Sequence, residues 1–199
     1  MKKTFERDTK LVLQNGYIFS GFSFGARGHA IGEIVFNTGM TGYQEVMTDP
    51  SYYGQILTFT YPEIGNTGIN FEDSESDDNI VNGIIVRNFS NNITNWRSKI
   101  SLNNWLIEKN VVGLFGVDTR ALVKILRKEG SMNGIITPID FDSQECFNLL
   151  RNQPKMEGSN LVTKVSTTNQ YDWNKMTLTT FDQRNKVAKT KNNKLKVVA

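Results

Sequence analysis

The first half of the chain consists mainly of short apolar runs that end at glycine or proline. The runs are rich in β-branched and aromatic side chains, and they are too short to be core helices. They are Leu11–Leu13, Tyr17–Phe19 with an extension through Phe24, Ile31–Phe36, Gln55–Tyr61 and Ile80–Val86. This pattern predicts a β-rich first half and excludes an all-helical fold.

The first two runs flank Asn15-Gly16. This dipeptide is typical of the two-residue type I′ turn that joins antiparallel strands. We therefore expect the chain to open with a β-hairpin.

Helical periodicity appears only in the second half, where strand-like runs over Val111–Phe115 and Asn133–Thr137 alternate with it. Three helices are expected from capping residues: Ser101 to near Asn110, Asp118 or Thr119 to Gly130, and a third that opens with Asp142 and Glu145. The third helix should turn four side chains inward: Cys146, Phe147, Leu149 and Leu150. The sequence thus predicts an α+β fold with three short helices in its second half.

Two residue counts exclude many kinds of enzyme. The chain has one cysteine, Cys146, and one histidine, His29, so it can form neither an internal disulfide nor a zinc site of several Cys or His ligands. We expect Cys146 to be a buried apolar residue and His29 to be structural. The chain holds no apolar stretch long enough to span a membrane, and its N-terminus lacks the apolar core of a signal peptide.

Positive charge is concentrated near the C-terminus. The basic tail contains Arg184, Lys186, Lys189, Lys191, Lys194 and Lys196. The rest of the chain contains the other 17 of the 23 basic residues and all 20 acidic residues, so its net charge is −3. The tail has no aromatic residue for base stacking, and we interpret it as a linker rather than a nucleic-acid site.

Negative charge is dense over residues 72–78, where five of seven residues are acidic. The spacing does not fit a calcium-binding EF-hand loop, and like charges at this density repel one another. We expect an extended, solvated loop and no metal site.

Two glycine-rich segments, Gly39–Gly42 and Gly65–Gly68, could cradle an anion with backbone N–H groups. Neither matches a nucleotide-binding pattern, so we interpret both as turns. Arg120 is expected to pair with Asp118 or to lie at an interface. The dense aromatic residues between Tyr43 and Tyr61 should divide between the core and a docking surface.

The last residues, Leu195–Ala199, begin an apolar β-branched run. Buried strands of parallel sheets have this composition. We expect the chain to stop at the entrance to a second, α/β domain, with the basic stretch as the linker before it.

Several long motifs occur in the order found in one known family. They are Gly32–Glu45, Thr48–Gln55, Tyr61–Gly68, Gly116–Arg120 and Gly130–Ile136. Between about Leu11 and Trp173 the chain closely resembles the N-terminal domain of the small, glutamine-hydrolysing subunit of carbamoyl phosphate synthetase. The resemblance implies a small β/β/α domain of the swivelling type over residues 1–175. Residues 176–199 would then be the basic linker, ending at the start of a missing glutaminase domain.

The resemblance also implies a function. The chain would be the N-terminal part of the small subunit, docking to the large subunit and supporting the supply of glutamine-derived ammonia for carbamoyl phosphate synthesis. That product serves arginine and pyrimidine biosynthesis. In the family, the glutaminase Cys nucleophile and its His–Glu pair belong to the second domain, and the large subunit uses ATP and Mg²⁺. We therefore expect no catalytic residue, metal or cofactor in this chain, and no activity by itself.

One residue of the chain receives a role from the resemblance. Ser51, in the motif Asp49-Pro-Ser-Tyr52, is similar to the serine with which this domain contacts bound L-glutamine. From composition alone, the motif is predicted to be a turn.

The alternative function for this chain is that of a stand-alone, non-catalytic binding protein that uses its basic C-terminal tail. A truncated reading frame or a separately encoded glutaminase domain stays open as well. We expect a location in the cytoplasm or plastid stroma, with no membrane partner and no nucleic-acid partner.

Overall fold

The computed structural model describes residues 6–76, 80–154 and 158–167. The chain divides into two compact units, and the strands and helices of the described residues lie in the first, Met1–Ser166. The strands are β1 (Thr9–Leu13), β2 (Ile18–Gly25), β3 (Ala30–Asn37), β4 (Ile56–Phe59), β5 (Glu63–Ile64), β6 (Gly83–Val86), β7 (Asn88–Phe89), β8 (Val112–Phe115) and β9 (Met132–Pro138). The helices are α1 (Tyr43–Thr48), α2 (Leu102–Glu108), α3 (Thr119–Glu129), α4 (Ser143–Asn152) and α5 (Val162–Val165), with a 3-10 turn at Pro50–Tyr52.

Seven strands close into a barrel in the order β1-β2-β8-β6-β4-β3-β9. Closure is possible because β1 pairs with β2 on one side and with β9 on the other, both antiparallel. The pairs β3–β4, β4–β6 and β6–β8 are parallel, which requires crossover connections. The two short strands β5 and β7 form a separate parallel pair.

The inside of the barrel is filled by alternate residues of its strands, as the period of two requires. Leu11 and Leu13 point inward from β1, while Val12 between them packs outside against α4. Leu122 and Leu126 of α3 join the inner cluster. The barrel is narrow enough that a β-carbon added at Gly134 of β9 would lie 2.8 Å from the Ile34 side chain.

Two further clusters lie outside the barrel. One contains Leu57, Ile84 and Trp105, where α1 and α2 pack over β4, β6 and β8. The other contains Cys146 and Leu150 of α4, which pack on β1 and β9. In the order of the strands these two outer clusters lie on opposite sides of the barrel, because β6 is three strands away from both β1 and β9.

The α+β class and the β-rich first half are confirmed, and all three expected helices are present. Their capping residues are Ser101, Asp118 and Asp142. The Ser101 side chain accepts a hydrogen bond from the Asn104 N–H, and that of Asp118 accepts one from the Ala121 N–H. The Asp142 side chain accepts from the N–H groups of Gln144 and Glu145. The number of helices was wrong, because α5 adds a fourth in the second half and α1 lies in the first. A six-residue helix that follows Gly42 (φ 76°), without a capping side chain, offers little periodicity to detect.

Two finer expectations are also wrong. The hairpin loop spans Gln14–Gly16, with the Gly16 N–H donating to Leu13 O at 2.9 Å. Only Gly16 has a positive φ in this loop (94°), so it is a three-residue loop with a glycine bulge and not a type I′ turn. Leu149 on α4 is 38 % exposed instead of buried. The boundary expected at residues 175/176, the basic tail and Leu195–Ala199 lie outside the described residues.

Candidate functional site

Ser51 lies in the 3-10 turn between α1 and β4. Asp49 caps the turn by accepting a hydrogen bond from the Ser51 N–H at 2.8 Å, and the Tyr53 N–H closes it on Pro50 O at 3.1 Å. The Ser51 side chain is exposed, and its hydroxyl makes no hydrogen bond within the described part of the chain. The turn that composition indicated is present, and it presents a hydroxyl that can both donate and accept. The role of Ser51 toward glutamine stays a prediction.

Side-chain hydrogen bonds link this turn to the glycine-rich loop before α1. The Asn37 amide donates to the Tyr52 hydroxyl at 3.2 Å. The Asn37 carbonyl oxygen accepts from the Gly39 N–H at 2.7 Å. Asn37 therefore connects the end of β3, the loop Gly39–Gly42 and the residue next to Ser51, a convergence that sequence reasoning did not anticipate.

The two glycine-rich segments meet at one cavity of about 180 Å³. Its walls are Gly39–Tyr43 on one side and the stretch from Phe59 to Thr67 on the other. Met40 and Tyr61 at its rim are 73 % and 37 % exposed, respectively. Each segment was interpreted as a turn, and only the tertiary structure brings the two together.

Tyr43 closes the base of this cavity with two hydrogen bonds. Its hydroxyl donates to Gly68 O at 2.7 Å and accepts from Thr67 Oγ1 at 2.9 Å. Burial raises the pKa of Tyr43 above its ordinary value. The phenol therefore stays protonated at neutral pH and serves as a structural contact.

The acidic loop is not the freely solvated segment that the sequence predicted. Arg97 binds both carboxylate oxygens of Asp73, at 2.6 and 3.0 Å, and reaches Glu72 at 3.2 Å. Gln44 of α1 donates to Asn70 O at 2.6 Å and accepts from the Asn70 N–H at 3.0 Å. The expectation failed for residues 72–76 because a cation and a helix far away in sequence hold them, which charge density alone cannot indicate.

Glu45 of α1 lies near this loop. Burial raises the pKa of its carboxyl, and the nearby charges of Asp73 and Glu75 raise it further, against the opposing effect of Arg97.

Within the described residues, no group of three or more His, Cys, Asp or Glu side chains is arranged to hold a metal ion.

His29 and Cys146 have the structural settings expected of them. The Nδ1 atom of His29 lies 2.8 Å from the Thr137 hydroxyl, and its ring meets the Phe141 ring edge-on. The Cys146 side chain is fully buried, and burial raises the pKa of its thiol. A protonated, buried thiol is a poor nucleophile.

Arg120 does not make the pairing with Asp118 that the sequence suggested. The Asp118 carboxylate instead accepts from the Ala121 N–H at 3.0 Å and caps α3. Of the aromatic residues between Tyr43 and Tyr61, Tyr43 and Phe59 are in the core whereas Tyr61 is exposed. A docking surface formed by the exposed ones stays a prediction.

Comparison with known proteins gives one consistent family. Residues 11–136 match the family model described as carbamoyl-phosphate synthase small chain, CPSase domain. The relatives named carbamoyl phosphate synthase small chain include that of Parasynechococcus marenigrum (strain WH8102), 49 % identical over 89 % of this chain and 46 % of the relative. Those of Synechocystis sp. (strain PCC 6803) and Aquifex aeolicus (strain VF5) are 52 % and 50 % identical, each over 82 % of this chain and over 42 % and 44 % of the relative.

The chain therefore spans about half the length of the curated relatives it matches. Solved structures offer only distant likenesses, such as an aminopeptidase from Aneurinibacillus sp. strain AM-1 at a TM-score of 0.35 and 17 % identity, over 67 % of this chain and 30 % of that one. A likeness this weak informs neither the fold nor the function. No helix in the described part of the chain is long and apolar enough to cross a membrane.

Proposed function

This chain belongs to the carbamoyl-phosphate synthase small-chain family, and on that premise we propose that it is the N-terminal part of a glutamine-dependent carbamoyl phosphate synthase small subunit. It docks to the large subunit and supports the supply of glutamine-derived ammonia for carbamoyl phosphate synthesis, and so for arginine and pyrimidine biosynthesis. The observation that carries the proposal is identity near 50 % over most of this chain with proteins of that name.

The chain's own residues support a scaffold role rather than bond-breaking. Within the described residues, the Cys146 side chain is fully buried, and so is Thr137, whose hydroxyl is hydrogen-bonded to His29, so neither the thiol nor this hydroxyl is accessible to a substrate as a nucleophile. We propose that glutamine hydrolysis needs a glutaminase domain besides this one. ATP and Mg²⁺ would be used by the large subunit.

Ser51 would be this domain's contribution to the glutamine site. Pro50 restricts the backbone before it and Asp49 holds its N–H, so the exposed hydroxyl is presented from a constrained turn. A hydroxyl suits either the carboxylate or the amine of an amino acid. The remaining contacts to glutamine would come from the glutaminase domain.

The swivelling β/β/α arrangement is part of the same proposal. It is supported by the mixed composition of a barrel with helices packed outside it. The cyanobacterial relatives fit a location in the cytoplasm or plastid stroma. The alternative of a binding protein that acts through its basic tail has no support in the relatives found.

Two measurements on the purified 199-residue chain test this function. We expect co-elution with the cognate large subunit at micromolar concentrations. We also expect no release of ammonia from glutamine by the chain alone. Absence of a complex would contradict docking, and ammonia release by the chain alone would contradict the scaffold role.

A further inference from the structure

Asn37, the last residue of β3, uses both ends of its side-chain amide. Its carbonyl oxygen accepts from the Gly39 N–H at 2.7 Å, and its NH₂ group donates to the Tyr52 hydroxyl at 3.2 Å. A backbone N–H can only donate, so the contact with Gly39 fixes which end of the amide faces which partner. The NH₂ group of Asn37 is thereby directed at Tyr52, the residue that follows Ser51.

The backbone of Asn37 is fixed by the barrel. Asn37 is paired with Phe59 in the parallel ladder of β3 and β4, and Asn37 O accepts from the Thr60 N–H at 3.1 Å. Phe59 is fully packed in the core. These contacts use the main chain of Asn37, so they persist when its side chain is replaced. The side chain therefore extends from a rigid strand end and can hold a partner at a defined position.

Hydrogen bonds within the turn that carries Ser51 set its shape but not its place on the barrel. The Asp49 side chain accepts from the Ser51 N–H at 2.8 Å, and Asp49 O accepts from the Tyr52 N–H at 3.0 Å. Tyr52 O accepts from the Gln55 N–H at 3.0 Å. Each of these bonds joins residues no more than three positions apart.

Two side-chain hydrogen bonds to β3 determine where the turn sits. The Gln55 amide donates to the Glu33 carboxylate at 2.7 Å and holds the residue that leads into β4. The Asn37–Tyr52 bond joins residues 15 positions apart and lies next to Ser51. Loss of the Asn37 bond should therefore release Ser51 while Glu33 keeps the turn attached to the barrel.

The Tyr52 side chain has two separable contacts. Its ring is half-buried and packs against the cluster over β4, β6 and β8, whereas its hydroxyl meets Asn37. Phenylalanine would keep the ring contacts, so Tyr52→Phe removes only the hydrogen bond.

We propose that Asn37 is a positioning residue for glutamine, which holds Ser51 through the Tyr52 hydroxyl at the place where the serine meets the substrate. This inference rests on the proposed function, of which it specifies a further residue. Asn37 does not itself contact glutamine. A hydroxyl whose turn is ordered in advance costs less conformational entropy on binding, and this favours affinity for the ligand.

The test uses a two-domain small subunit assembled with its large subunit, and it measures steady-state kinetics with glutamine and with free ammonia. Asn37→Ser keeps an acceptor for the Gly39 N–H but is too short to reach Tyr52. Asn37→Ser and Tyr52→Phe should each raise the KM for glutamine by about five-fold, the effect of one neutral hydrogen bond. The kcat and the ammonia-driven rate should not change. The double variant should be no worse than either single variant, because both remove the same bond.

Asn37→Asp is the conservative variant. Its carboxylate can accept from the Gly39 N–H and from the Tyr52 hydroxyl, which donates as readily as it accepts. We expect it to restore the KM for glutamine to within about two-fold of the wild-type value. A purely local effect of any substitution at residue 37 would not be rescued in this way.

Asn15 offers a matched control in the hairpin between β1 and β2. Its carbonyl oxygen accepts from the Tyr17 N–H, two residues on, at 3.3 Å, and its amide donates to Glu129 at 2.8 Å. Asn15→Ser thus removes the same kind of contact from a side chain that is not bonded to the turn. It should leave the KM for glutamine unchanged.

Each contrary outcome is distinct. A KM raised by Ser51→Ala but not by Asn37→Ser or Tyr52→Phe would overturn the positioning role and leave the proposed function intact. Failure of Asn37→Asp to restore the KM, or an equal rise with Asn15→Ser, would also overturn it. So would an equal loss with both nitrogen sources. If Ser51→Ala has no effect, or the assembled wild type makes no carbamoyl phosphate from glutamine, the glutamine role of Ser51 fails together with this inference. Thermal unfolding of each variant verifies that the fold is kept.

Discussion

At the scale of single residues, the turn around Ser51 places a hydroxyl in solvent while its backbone N–H is bound by Asp49. This hydroxyl can form a hydrogen bond with a ligand without ionisation of the side chain and without movement of helix α1, which precedes the turn. The adjacent Tyr52 is tied to Asn37, and this contact steadies the turn from the other side. Such a residue can contribute one hydrogen bond to a ligand and little to stability.

Ser51→Ala therefore has a specific expected result in a two-domain small subunit assembled with its large subunit. Loss of one hydrogen bond to a charged ligand group should raise the KM for glutamine by about ten-fold or more. Synthesis driven by free ammonia should not change. Steady-state kinetics with each nitrogen source check this, and Ser51→Thr, which keeps a hydroxyl, is the control. An equal loss with both sources would contradict a glutamine contact.

Glu45 gives a second prediction at this scale, based on its raised pKa. A carboxyl with a higher pKa in the folded state binds its proton more tightly there, so stability falls as pH rises from about 4.5, its ordinary value, through the folded pKa. Glu45→Gln removes this cost. We expect a higher Tm than wild type at pH 7 and no such gain near pH 4.

Thermal unfolding at the two pH values measures the effect of Glu45→Gln. Glu108→Gln, at an exposed position on α2, is the matched control and should change the Tm little at either pH. A gain for Glu45→Gln that is the same at both pH values would show that the charge of Glu45 is not its cause.

At the scale of elements, closure of the barrel depends on residues without side chains where strands crowd the interior. A β-carbon at Gly134 of β9 would meet Ile34 Cδ1 and Cγ1 of β3 at 2.8 Å and Leu13 of β1 at 3.2 Å. Ile34 and Leu13 are fully buried, so neither has room to move aside. Glycine is thus required there by packing and not by backbone angle.

Gly134→Ala should destabilise the domain by about 1–3 kcal/mol through overpacking. Urea unfolding measures this, and a double-mutant cycle with Ile34→Ala identifies the cause. Because Ile34→Ala removes both clashing carbons, the double variant should be less destabilised than the sum of the two single variants. Additive effects would exclude the contact with Ile34 as the reason.

At the scale of the whole molecule, the barrel and its helices belong to the first compact unit, Met1–Ser166. The basic tail belongs to the second unit, Thr167–Ala199. The scaffold proposal assigns function to the first unit, whereas the alternative assigned it to the tail.

A chain shortened to residues 1–166 separates these views. We expect it to keep the Tm of the full chain within about 2 °C, because the core clusters of the described residues lie entirely within residues 1–166. We also expect unchanged affinity for the large subunit. Binding that depends on residues 184–196, measured by titration calorimetry with the large subunit, would favour a function of the basic tail.

Local chemistry determined much of this protein from the sequence alone. The seven barrel strands, the helices opened by Ser101, Asp118 and Asp142, and the buried Cys146 follow from the periodicity and capping of a few neighbouring residues, whereas the two-residue strands β5 and β7 were not predicted. The family itself was evident from motifs that are each continuous in the chain.

Only the tertiary structure decided the features that join distant segments. These are the closure of the barrel through β1 and β9, the cavity shared by the two glycine-rich loops, the Arg97 contacts that order the acidic loop, and helix α1. Each depends on contacts across many residues, whose free energy is set by packing and hydrogen bonding in the folded state. Neighbouring residues in the sequence carry no record of such contacts, so local patterns could not indicate them.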